Sequence, residues 1–213
     1  MSHIHFGLER EKSIIAVFLL TPFLSSSLLR RAVFPEASLQ MAQRVLKRMT
    51  DRGMLKRFRY GQEYIYHIAP KNKKWRHWLE VARFHYAMLE GLANWQEIID
   101  YKIEHDLGFA VADLYYKMVY KPGDVREVYV EIDMGSHPIK FDKYPPSYHV
   151  LLVTPRKVNP PANWRITTIE EVRVNGIRLG NKSRPDDVRW FQDAPEKSEE
   201  KEKETATRGT FFQ

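Results

Sequence analysis

Apolar positions near the start of the chain recur with helical spacing. Between Glu9 and Leu20 they fall at Ile14, Val17 and Phe18, which share one face of a helix. Thr21-Pro22 ends that helix, because proline lacks an amide hydrogen and disfavours helix in the residue before it. A second short helix is expected over about 25–33, capped by Ser25 or a neighbouring serine. Pro35 interrupts, and Ser38 can cap a third helix that runs to about Arg52. There Leu39, Ala42, Leu46 and Met49 form a buried stripe with Val45 beside it, and Gln40, Gln43, Arg44, Lys47 and Arg48 take the other side. Gly53 supplies the stop. The period then changes to two over "MLKRFRY" and "EYIYHIA", a hairpin turning at Gly61-Gln62.

The second half opens with "KNKKWRH" and a long amphipathic helix over about 75–92, apolar at Trp78, Val81, Ala82, Phe84, Met88 and Leu89. His77 and His85 lie on or near it without a convincing partner at helical spacing, so packing or capping is expected of them rather than metal binding. Glu97 starts a short helix or strand. Residues 109–134 read as two strands joined at Pro122-Gly123. Ala110, Ala112, Leu114, Tyr116 and Met118 make the apolar side of the first; Val128, Val130, Ile132 and Met134 make that of the second. All are even-numbered, so paired residue numbers should sum to an even number, which demands a three- or five-residue loop or a bulge. Asp113, Glu131 and Asp133 then share the opposite face, a costly convergence without a cation or solvent. Lys140 and Lys143 follow on a helical or loop segment. Residues 147–155 read as a buried strand, and 163–180 as one more strand with a short helix or edge hairpin.

Composition narrows the picture. An apolar fraction of 43% suffices for real cores. No apolar run approaches the roughly 18–20 residues of a membrane span. The polar start predicts no signal peptide, and the lack of Cys removes disulfides, Cys-based zinc sites and thiol catalysis; a cytoplasmic location is expected. Charge is uneven: residues 1–77 hold 15 Lys and Arg against 5 Asp and Glu, while the remainder holds 19 against 22. A basic module joined to a mildly acidic one points the first towards a polyanion.

Three helices followed by a basic hairpin describe a winged helix-turn-helix, which sets its third helix in the DNA major groove. Arg44 and Lys47 suit guanine edges and Gln40 or Gln43 an adenine; Arg48 adds charge, and Lys56, Arg57 and Arg59 suit phosphates. The competing reading is a winged helix used for protein contacts. A homodimer on a palindromic site fits the fold without being encoded. For the second domain, a helix-strand-strand-helix-strand order with acids on the first two strands is the plan of the PD-(D/E)XK restriction-endonuclease-like fold. Glu97, Asp113, Glu131, Asp133 and Lys143 are its candidate catalytic residues. Asp113 and Glu131 would be the ligands of Mg or Mn. Asp133 stands where the signature carries Lys and cannot supply that positive charge.

The winged helix, "HWLEV", Trp95 to Glu97, "VAD" and "YVEIDMG" together resemble the replication-relaxation family of bacterial plasmids, integrative elements and phages, over about residues 13–155. The resemblance places Asp113, Glu131, Asp133 and Gly135 at motif positions, with Lys143 and Tyr144 as the following Lys and Tyr. It implies a DNA-binding protein of replication, transfer or transcriptional control, alongside other replication or transfer proteins. The short, proline-containing "SHPIKFDKYPPSY" after Gly135 predicts a truncated helix there. The expected architecture is α+β: a winged helix over 1–70, an endonuclease-like α/β domain over 71–182, and a charged tail over 183–213. The charged tail segment 195–209 is expected to be disordered, and Phe211 and Phe212 are expected to be a frayed terminus, with a partner-binding tag as the alternative. The alternatives are a metal-dependent nuclease or nickase and a protein-interaction module; the missing Lys argues against catalysis.

Overall fold

Helix α1 (His3–Leu20) ends at the expected Thr21-Pro22 break, where the Thr21 N–H still bonds Val17 O. Serine caps start the next two helices. Ser25 Oγ accepts the Leu28 N–H at 3.3 Å to open α2 (Ser26–Val33), and Ser38 Oγ accepts the Met41 N–H at 3.2 Å to open α3 (Leu39–Asp51). Gly53, with φ of 75°, then takes the left-handed conformation that lets the chain leave the helix. Strands β2 (Lys56–Tyr60) and β3 (Glu63–His67) form the expected hairpin. A third strand, β1 (Phe23–Ser25), pairs with β3 and was not expected, because three residues are too few for a periodic signal.

The core of this module gathers Ile14, Phe18, Leu28, Leu46, Met49 and Ile65, and α4 (Trp75–Gly91) completes it with Leu79, Ala82 and Tyr86. The expected boundary after residue 70 is thus crossed by core packing, and all described residues belong to one compact unit. Leu39 corrects the predicted stripe: it is 42% exposed, as the first residue of α3.

Beyond α4 lies a five-stranded sheet of β4 (Glu97–Asp106), β5 (Val111–Lys121), β6 (Asp124–Ile132), β7 (Val150–Val153) and β8 (Trp164–Thr167), in that spatial order. The first three are antiparallel; β6, β7 and β8 are parallel, so the sheet is mixed and the fold is α+β. Helix α5 (Ile169–Asn175) follows. The even-sum register holds: Leu114 faces Val130 and Tyr116 faces Val128, with the shift taken up between Val119 and Lys121. The odd-numbered side is less polar than expected. Tyr115 and Tyr129 are buried, packed in one cluster with Tyr144 and Trp164 from later in the chain. Between β6 and β7 the chain makes only a single 3₁₀ turn, Phe141–Lys143, in line with the predicted truncation.

The computed structural model describes residues 3–93, 96–121 and 123–175. The readings placed on Trp95, on Pro122 and on the tail with Phe211 and Phe212 lie outside them. Among the described residues no helix is long and apolar enough to cross a membrane.

Candidate functional site

Helix α3 separates its side chains by solvent. Ala42, Leu46 and Met49 are buried, whereas Gln40, Arg44, Lys47 and Arg48 are exposed and Gln43 is half-buried. The basic residues differ in how they are held. Lys47 Nζ pairs with Asp51 at 2.6 Å, one turn along the same helix. Buried Glu11 of α1 draws Arg52 to 2.8 Å and Arg48 to 3.5 Å, so Arg48 is less available than its spacing suggests. Arg44 has no ionic partner among the described residues. On the hairpin Lys56 and Arg59 are exposed, and half-buried Arg57 lies 4.4 Å above the Tyr64 ring.

The second constellation lies where β5 begins and β6 ends, around a cavity of about 390 Å³ that Asp113, Glu131, Asp133 and Lys143 all line. Antiparallel pairing brings the three carboxylates together, but each is met by its own donors. Asp113 accepts the Ile132 N–H at 2.7 Å through Oδ2, and its Oδ1 lies 3.0 Å from His77 Nε2 in the first turn of α4. Glu131 Oε1 accepts Lys143 Nζ at 2.7 Å and the Tyr144 hydroxyl. Lys143 also donates to Val111 O at 2.7 Å, which bridges the ends of the two strands. Asp133 receives a two-pronged guanidinium contact, Arg156 Nε and Nη2 each at 2.6 Å, with Thr154 Oγ1 at 2.6 Å and the Gly135 N–H at 2.7 Å.

Protonation follows from these contacts. The hydrogen bond to Asp113 raises the His77 pKa despite opposing burial, and the charges of Asp113 and Glu104 add to it. Burial raises Glu131, and the Asp113 charge raises it further, against Lys143 and Tyr144. Burial would also raise Asp133, but Arg156, Thr154 and the Gly135 N–H together hold it below the ordinary carboxylate range. Glu104 stands level with Asp113 on β4, between Ile103 and His105, and has a φ of 50°. Left-handed backbone is uncommon for a residue with a side chain and recurs at functional positions.

Two site expectations need correction. Glu97 pairs with Val119, six residues along β5 from Asp113 and therefore roughly 20 Å away. It is exposed and belongs to no cluster with Asp113 or Glu131. The expected Mg or Mn ligands are also already occupied. A hard dication is held by convergent oxygen ligands. Here Lys143 and Arg156 offset Glu131 and Asp133, and His77 Nε2 occupies Asp113 Oδ1. Among the described residues no group of three or more His, Asp or Glu is placed to hold an ion. The residues present do not fit a resident Mg or Mn, and no chemical step is derived through one.

His77 and Arg156 were missed as members of this site. His77 reaches it from a helix 36 positions earlier, with no local spacing to betray the pairing. Arg156 is brought to Asp133 by the parallel pairing of Ile132 with Val153, which strand periodicity does not reveal. His85 meets expectation as a packing residue: it is buried, bonds the Tyr116 hydroxyl at 3.0 Å, and burial lowers its pKa to about 4. No protein-family model, curated protein or solved structure matches the chain.

Proposed function

We propose that the chain binds double-stranded DNA through a winged helix, with α3 in the major groove and the β2–β3 hairpin against the backbone. The carrying observation is the division of α3. Its apolar stripe is consumed by the core, leaving Gln40 and Arg44 on a solvent face beside Lys47, which is exposed and paired with Asp51 one turn along. Arginine or lysine at base edges and glutamine beside them is the chemistry of direct readout. The resemblance of its motifs to replication-relaxation proteins supports a role for this activity in the replication, transfer or transcriptional control of a plasmid, integrative element or phage. A gel shift on duplex DNA at low salt tests the reading, with Arg44→Ala plus Lys47→Ala expected to abolish the shifted band.

The five-stranded domain is read as endonuclease-like in plan but without hydrolytic activity. Support for the plan comes from the order α4-β4-β5-β6-β7 with Asp113 and Glu131 at adjoining strand ends, and from Lys143 reaching Glu131 from outside the signature. Support for inactivity comes from the cations that already meet Glu131 and Asp133, Lys143 and Arg156. Supercoiled DNA incubated with Mg or Mn should stay intact; nicking that disappears in Asp113→Ala would overturn this part and restore the nuclease reading.

A further inference from the structure

The basic surface does not end with the hairpin. After β3 the chain runs through Lys71, Asn72, Lys73 and Lys74 to Trp75 and Arg76 at the start of α4. Trp75 packs edge-on against Phe58 and Tyr60, each ring centre 4.9 Å away. Those two rings, two residues apart, occupy one face of β2, and Arg57 and Arg59 alternate onto the other. Cations sit over the rings on both faces. Lys71 Nζ is 4.0 Å from the Phe58 centroid, and the Arg76 guanidinium is 5.5 Å from Tyr60 and 5.4 Å from Trp75. Across the hairpin, Arg57 covers Tyr64 at 4.4 Å. Lys71, Lys73, Lys74 and Arg76 are exposed, and none pairs with a carboxylate among the described residues.

Such a concentration of like charge is self-repulsive unless a polyanion offsets it. Seating the cations on rings also fixes their positions before any ligand arrives, which lowers the ordering cost of binding. We infer that the hairpin is a two-sided phosphate clamp. Arg57 and Arg59 meet one backbone strand of a duplex; Lys71 and Arg76, with Lys73 and Lys74 beside them, meet the other across the minor groove. The clamp rests on the DNA-binding reading of α3 but uses a segment outside the winged helix itself. Fixed cations on both faces of a narrow ribbon match two rows of phosphate better than a lipid surface, which would favour free apolar side chains on one face.

The test is the salt dependence of binding to a labelled 30-bp duplex, for the full chain and for Lys71→Gln with Arg76→Gln. Each phosphate contact contributes about 0.9 to the slope of log affinity against log salt, so the double variant should lose ~1.8. Lys71→Arg with Arg76→Lys, which keeps charge, should retain the slope and controls for disturbed ring packing. Lys73→Gln with Lys74→Gln touches no ring and should lower the slope without changing the melting temperature. Wild-type binding with an unchanged slope in both glutamine variants overturns the clamp and leaves the α3 reading standing. Binding to phosphatidylserine vesicles that depends on these residues, with an unchanged duplex slope, overturns it in favour of a membrane. If the wild type binds no duplex, the α3 reading falls and the clamp with it.

Discussion

His77 Nε2 lies 3.0 Å from Asp113 Oδ1, tying the first turn of α4 to the first residues of β5. Two residues earlier in the same helix, Trp75 packs on the hairpin. One short stretch of α4 therefore touches both the basic surface and the acidic cavity.

That pair makes stability depend on pH. The folded His77 pKa is raised from 6.5, chiefly by the Asp113 hydrogen bond. A raised folded value means that the contribution is complete below about 6.5 and is lost as pH climbs through the folded pKa. Denaturant unfolding of wild type and His77→Gln should show a gap that is widest near pH 5.5 and narrows by pH 8.5. A gap that does not change with pH would contradict the ionic pairing.

His85 has the opposite sign. Its folded pKa is lowered to about 4 by burial, so it favours the native state above the unfolded value and withdraws that support as pH falls from about 6.5 towards 4. His85→Asn should flatten the acid limb of the stability profile below pH 6, at some cost in packing at neutral pH.

Asp133 is only 7% exposed while the Arg156 side chain is 35% exposed. Removing the arginine strands a buried carboxylate, whereas solvent already screens the guanidinium. Arg156→Ala should cost about 1–3 kcal/mol at pH 7. Because the folded Asp133 pKa is depressed, the contribution is present above the unfolded value of 3.8 and disappears as pH falls through the folded one. Unfolding curves at pH 7 and pH 3 should therefore differ in the size of the mutational effect.

Helix α3 offers a packing test. Leu46 is fully buried, and Leu46→Ala should cost about 2–5 kcal/mol. Leu39, spaced for the same stripe but largely in solvent, should tolerate alanine within about 0.5 kcal/mol. Equal losses at both positions would contradict the observed helix start.

Local chemistry made much of this legible. Ser25 and Ser38 announce helix starts because their hydroxyls satisfy amides that the helix leaves free. The shared parity of apolar residues in β5 and β6 restricts their register to even sums and puts Asp113 on one face with Glu131. What stayed hidden depends on encounters between distant segments. The partners His77 and Arg156 arrive from other elements. The burial of Tyr115 and Tyr129 needs the packing that Tyr144 and Trp164 provide from later in the chain. Glu97 was misplaced because its acidity matched the chemistry, whereas distance along β5 separates it from the cavity.

The central claim is that α3 reads duplex DNA, and fluorescence anisotropy of a labelled duplex across a salt series tests it most directly. The account predicts binding that weakens steeply with salt, together with a large loss of affinity in Arg44→Ala plus Lys47→Ala, while the thermal melt stays unchanged. No binding at low salt, or equal affinity for wild type and the double variant, would contradict it.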